Sequence, residues 1–121
     1  YIVKRKIVAD LYREQLKEIP GIRFLEDIAG IRHNYAYFPI LVDENKYGKT
    51  RDELYEELKR HNIYGRRYFY PLISQFPSYR GLSSAKAANL PVSEEVASRV
   101  ICLPIYPELE LDIVNKILSA L

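Results

Sequence analysis

The stretch Tyr35-Ala36-Tyr37-Phe38-Pro39-Ile40-Leu41-Val42 is apolar or aromatic at every position and lies between the turn formers Asn34 and Asp43. A run this short, rich in aromatic and branched residues, predicts a strand over 35–42, buried on both faces for part of its length. Pro39 has no N–H to give to a ladder, so it is expected at an edge or a bulge. The polar run Asp43 to Lys49 turns the chain, and Thr50-Arg51-Asp52-Glu53 then reads as a capping box. The Thr50 hydroxyl can take the Glu53 amide while Glu53 reaches back. The helix so started runs through Leu54, Tyr55 and Leu58, with Lys59 and Arg60 favourable in its last turn and Asn62 suited to a left-handed stop.

Working outward from this strand and helix, Val3, Ile7, Val8, Leu11, Tyr12, Leu16 and Ile19 recur at steps of three and four. They predict an amphipathic helix over 3–19, ended by Pro20-Gly21. Ile22 to Leu25 is a short strand, and Glu26-Asp27 with Gly30 mark a loop. Downstream, Ile63 to Tyr70 reads as a third extended segment closed by Pro71. Residues 72–90 carry neither a helical nor a strand period and are long for a loop, which points to a functional or mobile segment. Pro91 suits a first helical position, with Val92, Val96 and Val100 sharing a face. Val100 to Leu103 reads as a buried strand, and Leu111, Val114, Ile117, Leu118 and Leu121 as a last helix. The fold class is therefore α+β, a small mostly antiparallel sheet packed with helices in a single domain over 1–121.

Composition agrees. The 121 residues are 48% hydrophobic and 28% charged, which excludes disordered and collagen-like chains. At 14.2 kDa a folded monomer keeps roughly 6,800 Å² of the roughly 20,600 Å² its open chain exposes, enough burial for one core. No apolar run reaches the ~18 residues a membrane helix needs. The single Cys102 rules out an internal disulfide, and a cytoplasmic location is expected. The chain holds no methionine and begins at Tyr1, so it is expected to be part of a longer protein.

The net charge of +2 is unevenly spread. No carboxylate lies between Glu57 and Glu94, a stretch that holds Lys59, Arg60, Arg66, Arg67, Arg80 and Lys86 among six aromatic residues. Such a segment suits an anionic ligand. Its densest part is Gly65-Arg66-Arg67-Tyr68-Phe69-Tyr70-Pro71-Leu72. On a strand Arg67, Phe69 and Pro71 would face one way, and Arg66, Tyr68 and Tyr70 the other. One face would pack while the other offers guanidinium and phenol groups to a phosphate or sugar. A sheet edge with an arginine lying over aromatic rings is the plainer reading of the same residues.

Other candidates for chemistry read as ordinary structure. His33 and His61 are far apart and match no metal-ligand spacing, which favours surface histidines and no metal. Cys102 lies between Ile101 and Leu103, the setting of an inert packing thiol. Lys86, in Ser83-Ser84-Ala85-Lys86, has nothing nearby to desolvate it as a Schiff-base lysine requires. The glycines are scattered singly and form no phosphate loop. A small nucleic-acid-binding module using the basic and aromatic segment 63–80 is the alternative from a different class, weakened by the low net charge and by a poor match to RNA-recognition strands. A purely structural or dimerisation module is a third.

Taken in order, several motifs carry a resemblance. Asn34-Tyr35-Ala36-Tyr37-Phe38-Pro39-Ile40 is followed by Arg51-Asp52-Glu53-Leu54, then by Arg66-Arg67-Tyr68-Phe69-Tyr70-Pro71-Leu72. Tyr79, Leu90-Pro91-Val92 and Arg99-Val100-Ile101-Cys102-Leu103-Pro104-Ile105-Tyr106-Pro107 complete the set. Together they resemble the C-terminal small domain of the DegT/StrS family of nucleotide-sugar aminotransferases, over nearly the whole chain. Residues 1–19 resemble the linker helix from the large domain.

The resemblance implies a fold-type-I enzyme dependent on pyridoxal phosphate (PLP) and acting as a homodimer. It would transfer an amino group from glutamate to a nucleotide-linked keto-deoxysugar, with no role for nucleic acid or membrane. The PLP lysine and cofactor contacts belong to the family's large domain, so this chain alone is expected to hold no catalytic or cofactor-binding residue and to be inactive. Many members carry a histidine on the strand before the Pro-Leu pair and another after it. Here Arg67 stands at the first position and Ile73-Ser74 at the second. Arg67, Tyr68 and Tyr70 are the residues the resemblance implies on the substrate side of the cleft. Arg-Tyr-Phe at this point resembles a subgroup serving 4-amino-4,6-dideoxyhexose synthesis.

Overall fold

Three short strands, β1 (Ile22–Phe24), β2 (Phe38–Val42) and β3 (Val100–Leu103), form one antiparallel sheet in the order β1-β2-β3. They are seen in a computed structural model that describes residues 1–121. β2 is central and alternates, with Phe38, Ile40 and Val42 buried. The strand buried at every position is β3 instead. β2 also starts later than its apolar run, because Tyr35 adopts a left-handed backbone at φ +54° and takes the chain out of extended geometry.

Pro39 sits within the central strand, neither at an edge nor at a bulge. Its partner by register is Cys102, whose N–H and C=O both bond to Arg66 on the far side of β3. Pro39 therefore occupies a pair that exchanges no backbone hydrogen bonds with β3. Its ring nitrogen faces the β1 side, where that strand has already ended at Phe24, opposite Ile40. The missing donor leaves no ladder bond unmade.

Helix α1 (Ile2–Leu16) buries Val8, Ala9, Tyr12 and Leu16 and packs beside α5 (Leu111–Ser119), which buries Val114 and Ile117. Val3 and Ile7, counted on the apolar face, stay in solvent. Helix α1 is thus part of this core, whatever it joins on its other side. A short helix, α2 (Glu44–Tyr47), occupies the polar turn after β2, with the Asp43 side chain accepting from the Asn45 N–H and Gly48 closing it at φ +90°. Helix α3 (Arg51–Arg60) has the predicted box: Thr50 Oγ1 accepts from Glu53 N–H at 3.1 Å, and Thr50 N–H donates to Glu53 Oε2 at 2.9 Å. Asn62 takes the left-handed conformation expected of it, at φ +59°.

The segment 63–70 is not a strand. It touches the sheet through a single bridge, Arg66 to Cys102, then turns at Tyr68-Phe69. Residues 72–90 form tight 3₁₀ turns at Ile73–Gln75, Ser83–Ala85 and Ala87–Asn89. Helix α4 (Pro91–Arg99) starts on its proline but buries nothing, leaving Val92 and Val96 in solvent. No residue between Leu58 and Val100 is buried. The accessible surface is 8270 Å², well above the roughly 6,800 Å² expected for the mass.

Candidate functional site

The Arg66–Tyr70 segment leaves the edge of β3 and crosses the exposed face of α3, and this crossing builds the site. Asp52 and Tyr55 lie three residues apart on α3, so they share a face. Arg67 lies against that face. Its guanidinium carbon is 4.7 Å from the centre of the Tyr55 ring and 4.6 Å from that of Tyr70, and its Nη1 is 3.6 Å from Asp52 Oδ1. Two phenol rings thus pack on the cation, which fixes its direction.

Behind this stack Arg51 is buried, with 3% of its surface exposed. Its Nη1 donates to the Val100 carbonyl at 2.7 Å and its Nε to Asp52 Oδ1 at 2.8 Å, while its guanidinium lies 5.7 Å from the Tyr70 ring. Asp52 is therefore shared by two guanidinium groups, and the cluster keeps one net positive charge. The Val100 bond also ties the stack to the start of β3, so the site inherits the rigidity of the sheet.

Tyr68 turns away into a second aromatic group. Its ring is 5.1 Å from Tyr37 and 4.4 Å from Phe69, and Tyr37 stands edge-on to Phe69 at 6.3 Å. Both groups line one open groove of about 510 Å³, with Arg66 and Phe76 also on its wall. The structure thus brings Arg67, Tyr68 and Tyr70 to a single groove, but not by strand alternation. Arg67 and Tyr70 stack together and Tyr68 stands apart, because the segment turns at Tyr68-Phe69. Arg51, Asp52, Tyr55 and Tyr37 complete the site and escaped the sequence reading. The spacing of Asp52 and Tyr55 on a helix with a strong cap was the available signal for one shared face; nothing in sequence pointed to Tyr37.

A second hollow of about 330 Å³ lies beyond Tyr68, between α1 and the loop 25–37. Arg13 anchors that loop through the Leu25 carbonyl at 3.1 Å and Asp27 at 3.0 Å. The Tyr35 hydroxyl donates to Asp27 at 2.6 Å, and with Arg13 this holds the Asp27 carboxyl below the usual carboxylate range. His33 is structural, its Nε2 accepting the Ile28 N–H at 2.9 Å. His61 ends α3, 3.5 Å from Glu57. Cys102 is buried, and desolvation pushes its thiol up to about 11 against a smaller opposing effect of Arg66. That is the inert thiol its neighbours predicted.

Every lysine, Lys86 included, has an exposed side chain. A Schiff-base lysine needs an enclosed, desolvated pocket, and these 121 residues by themselves enclose none of their lysines. The nucleic-acid reading of 63–80 also loses its basis, since the flat strand platform it needs does not form. No helix is long and apolar enough to cross a membrane.

The chain is 51% identical over 120 residues to a dTDP-4-amino-4,6-dideoxy-D-glucose transaminase of Escherichia coli, a match covering 99% of this chain and 32% of that protein. It is 40% identical to the enzyme of the same name from Shigella dysenteriae, over 98% of this chain and 32% of the relative. Among solved structures it superposes with a TM-score of 0.88 and 28% identity on DesI in the presence of its TDP-sugar product, covering 98% of this chain and 30% of that one. The chain thus spans about a third of the length of the relatives it matches. The model of the DegT/DnrJ/EryC1/StrS aminotransferase family matches residues 1–121. With the fold, the ordered motifs and the whole-chain match in agreement, this chain belongs to the DegT/DnrJ/EryC1/StrS aminotransferase family.

Proposed function

We propose that these 121 residues are the C-terminal small domain of a PLP-dependent sugar aminotransferase, which moves an amino group from glutamate to a nucleotide-linked 4-keto-6-deoxyhexose. The observation that carries this reading is the 51% identity, across 99% of the chain, to a dTDP-4-amino-4,6-dideoxy-D-glucose transaminase. PLP, when bound, supplies an electron sink for the transfer. The family resemblance places the residues that hold PLP in the remainder of the parent. The parent acts as a cytoplasmic homodimer, and residues 1–19 link the two domains.

Within that enzyme the work of this chain is recognition. Arg67, clamped between Tyr55 and Tyr70, presents its free N–H groups to a phosphate or sugar hydroxyl without paying much further ordering entropy. Tyr68 and Tyr70 border the same groove and offer ring faces and hydroxyls to the sugar nucleotide.

The test is made on the full-length parent loaded with PLP, glutamate and a dTDP-4-keto-6-deoxyhexose, by mass detection of the amino sugar. Arg67→Ala is expected to raise KM for the nucleotide sugar about tenfold or more, with KM for glutamate unchanged; one lost charge-assisted hydrogen bond corresponds to that size. Absence of any amino sugar with this and related keto-sugars overturns the proposal. An unchanged KM for the Arg67 variant removes that residue from recognition.

A further inference from the structure

Arg67 donates no hydrogen bond within the protein, and its one ion-pair partner is Asp52, whose Oδ1 lies 3.6 Å from Nη1. The rings of Tyr55 and Tyr70 hold the guanidinium carbon at 4.7 and 4.6 Å. That packing sets the course of the side chain. A ring face draws in the charge as a whole and favours no one N–H bond, so rotation of the guanidinium between the rings is left to its charged neighbours. Asp52 is the carboxylate beside it.

Asp52 is itself held. Its Oδ1 also accepts from Arg51 Nε at 2.8 Å, and Arg51 is buried and tied to the Val100 carbonyl at 2.7 Å. The shorter bond goes to the buried arginine, so the carboxylate stays with Arg51, and Arg67 keeps N–H groups for a ligand. The same carboxylate offsets a repulsion. Both guanidinium groups lie against Tyr70, Arg51 at 5.7 Å and Arg67 at 4.6 Å. Without a negative charge between them they push apart, and Arg67 gives way because Arg51 is buried. Asp52 is not on the wall of the groove that Arg67, Tyr68 and Tyr70 line. Its effect on a ligand there passes through Arg67.

We propose that Asp52 is a positioning residue for the nucleotide-sugar groove: anchored to β3 by Arg51, it sets the direction in which Arg67 offers its N–H groups to the substrate. The inference rests on the reading of Arg67 as a recognition residue. It gives Asp52 the opposite effect to that of its charge alone, since a carboxylate near a phosphate-binding groove weakens binding by repulsion.

The test uses the full-length parent loaded with PLP. Asp52→Asn keeps an acceptor oxygen for Arg51 and removes the charge that holds Arg67. It is expected to raise KM for the dTDP-4-keto-6-deoxyhexose about threefold, the size of one exposed ion pair, with kcat and KM for glutamate unchanged. In the Arg67→Ala background the same substitution should change that KM by less than about 1.5-fold, since the group it acts through is gone. An unchanged or lower KM from Asp52→Asn alone overturns the proposal, a lower value meaning that repulsion is all Asp52 contributes. An equal rise in the Arg67→Ala background, or a rise in KM for glutamate, marks a structural role and overturns it as well. A crystal structure of the Asp52→Asn parent reads the geometry without turnover. There Arg67 Nη1 is expected to move by about 1 Å or more, enough to spoil a directed contact. An unmoved guanidinium refutes the positioning role. If the parent forms no amino sugar, the functional reading fails, and the crystal structure still decides whether Asp52 holds Arg67.

Discussion

Replacing Tyr12 by Phe removes one oxygen atom and tests what ties α1 to the far end of the chain. The Tyr12 hydroxyl donates to the Pro104 carbonyl at 2.8 Å, between residues 92 positions apart. The ring is fully buried, 5.0 Å from Phe38, so its packing survives the change while the carbonyl loses its partner. A lost neutral hydrogen bond with a half-buried acceptor left behind costs about 1–2 kcal/mol. For a domain of this size that lowers Tm by roughly 4–8 °C and moves the urea midpoint with m unchanged. A second signature comes from pH. Burial pushes the Tyr12 hydroxyl well above the ordinary tyrosine range. Because its folded value is raised, its contribution is complete below the unfolded value near pH 10 and is lost as pH rises above that. The gap between parent and Tyr12→Phe should therefore be flat from pH 6 to 9 and narrow toward pH 11, with other titrating groups cancelling in the difference. Urea unfolding followed by circular dichroism at each pH measures it. A gap below about 0.3 kcal/mol at pH 7, or one that fails to narrow in alkali, refutes this account of α1.

Three further outcomes can be checked with the same equipment. Gly21→Ala should cost at least about 2 kcal/mol in urea unfolding, because Gly21 sits at φ +81° and a Cβ there would lie 2.8 Å from the Asp43 carbonyl oxygen and closer still to the Tyr47 amide nitrogen. Thr50→Ala should cost about 1 kcal/mol by the same measure through loss of the α3 cap. Cys102, its thiol raised to about 11, should react with iodoacetamide at pH 8 about a hundredfold more slowly than a free cysteine, and at the ordinary rate once denatured; the alkylated mass reads both.

Local chemistry was legible where its cause is local. The Thr50–Glu53 box, the left-handed Asn62, the proline at the head of α4 and the buried β3 all follow from residues within a few positions of each other. The site was legible in part. Arg67, Tyr68 and Tyr70 stood out because basic and aromatic residues crowd one segment without a carboxylate. Their partners Arg51, Asp52, Tyr55 and Tyr37 lie far away in sequence and meet them only when the segment crosses α3. Residues 72–90 showed no period because they fold as short separate 3₁₀ turns, which neither the helix repeat of 3.6 nor the strand repeat of 2 fits.

Sequence by itself determined the order of every element but segment 63–70 and the short helix α2, the α+β class and the family resemblance, since periodicity, caps and ordered motifs are written in neighbouring residues. Tertiary structure alone decided three other things. It placed Pro39 in the central strand, because Arg66 takes both backbone bonds of Cys102 and β1 stops short. It converted a supposed strand into a turn that stacks Arg67 between two rings, because Arg51 fixes Asp52 and Tyr70 at the edge of the sheet. It also left the stretch from Lys59 to Arg99 without a buried residue. Burial depends on which distant elements pack over a stretch, and its own residues do not state that.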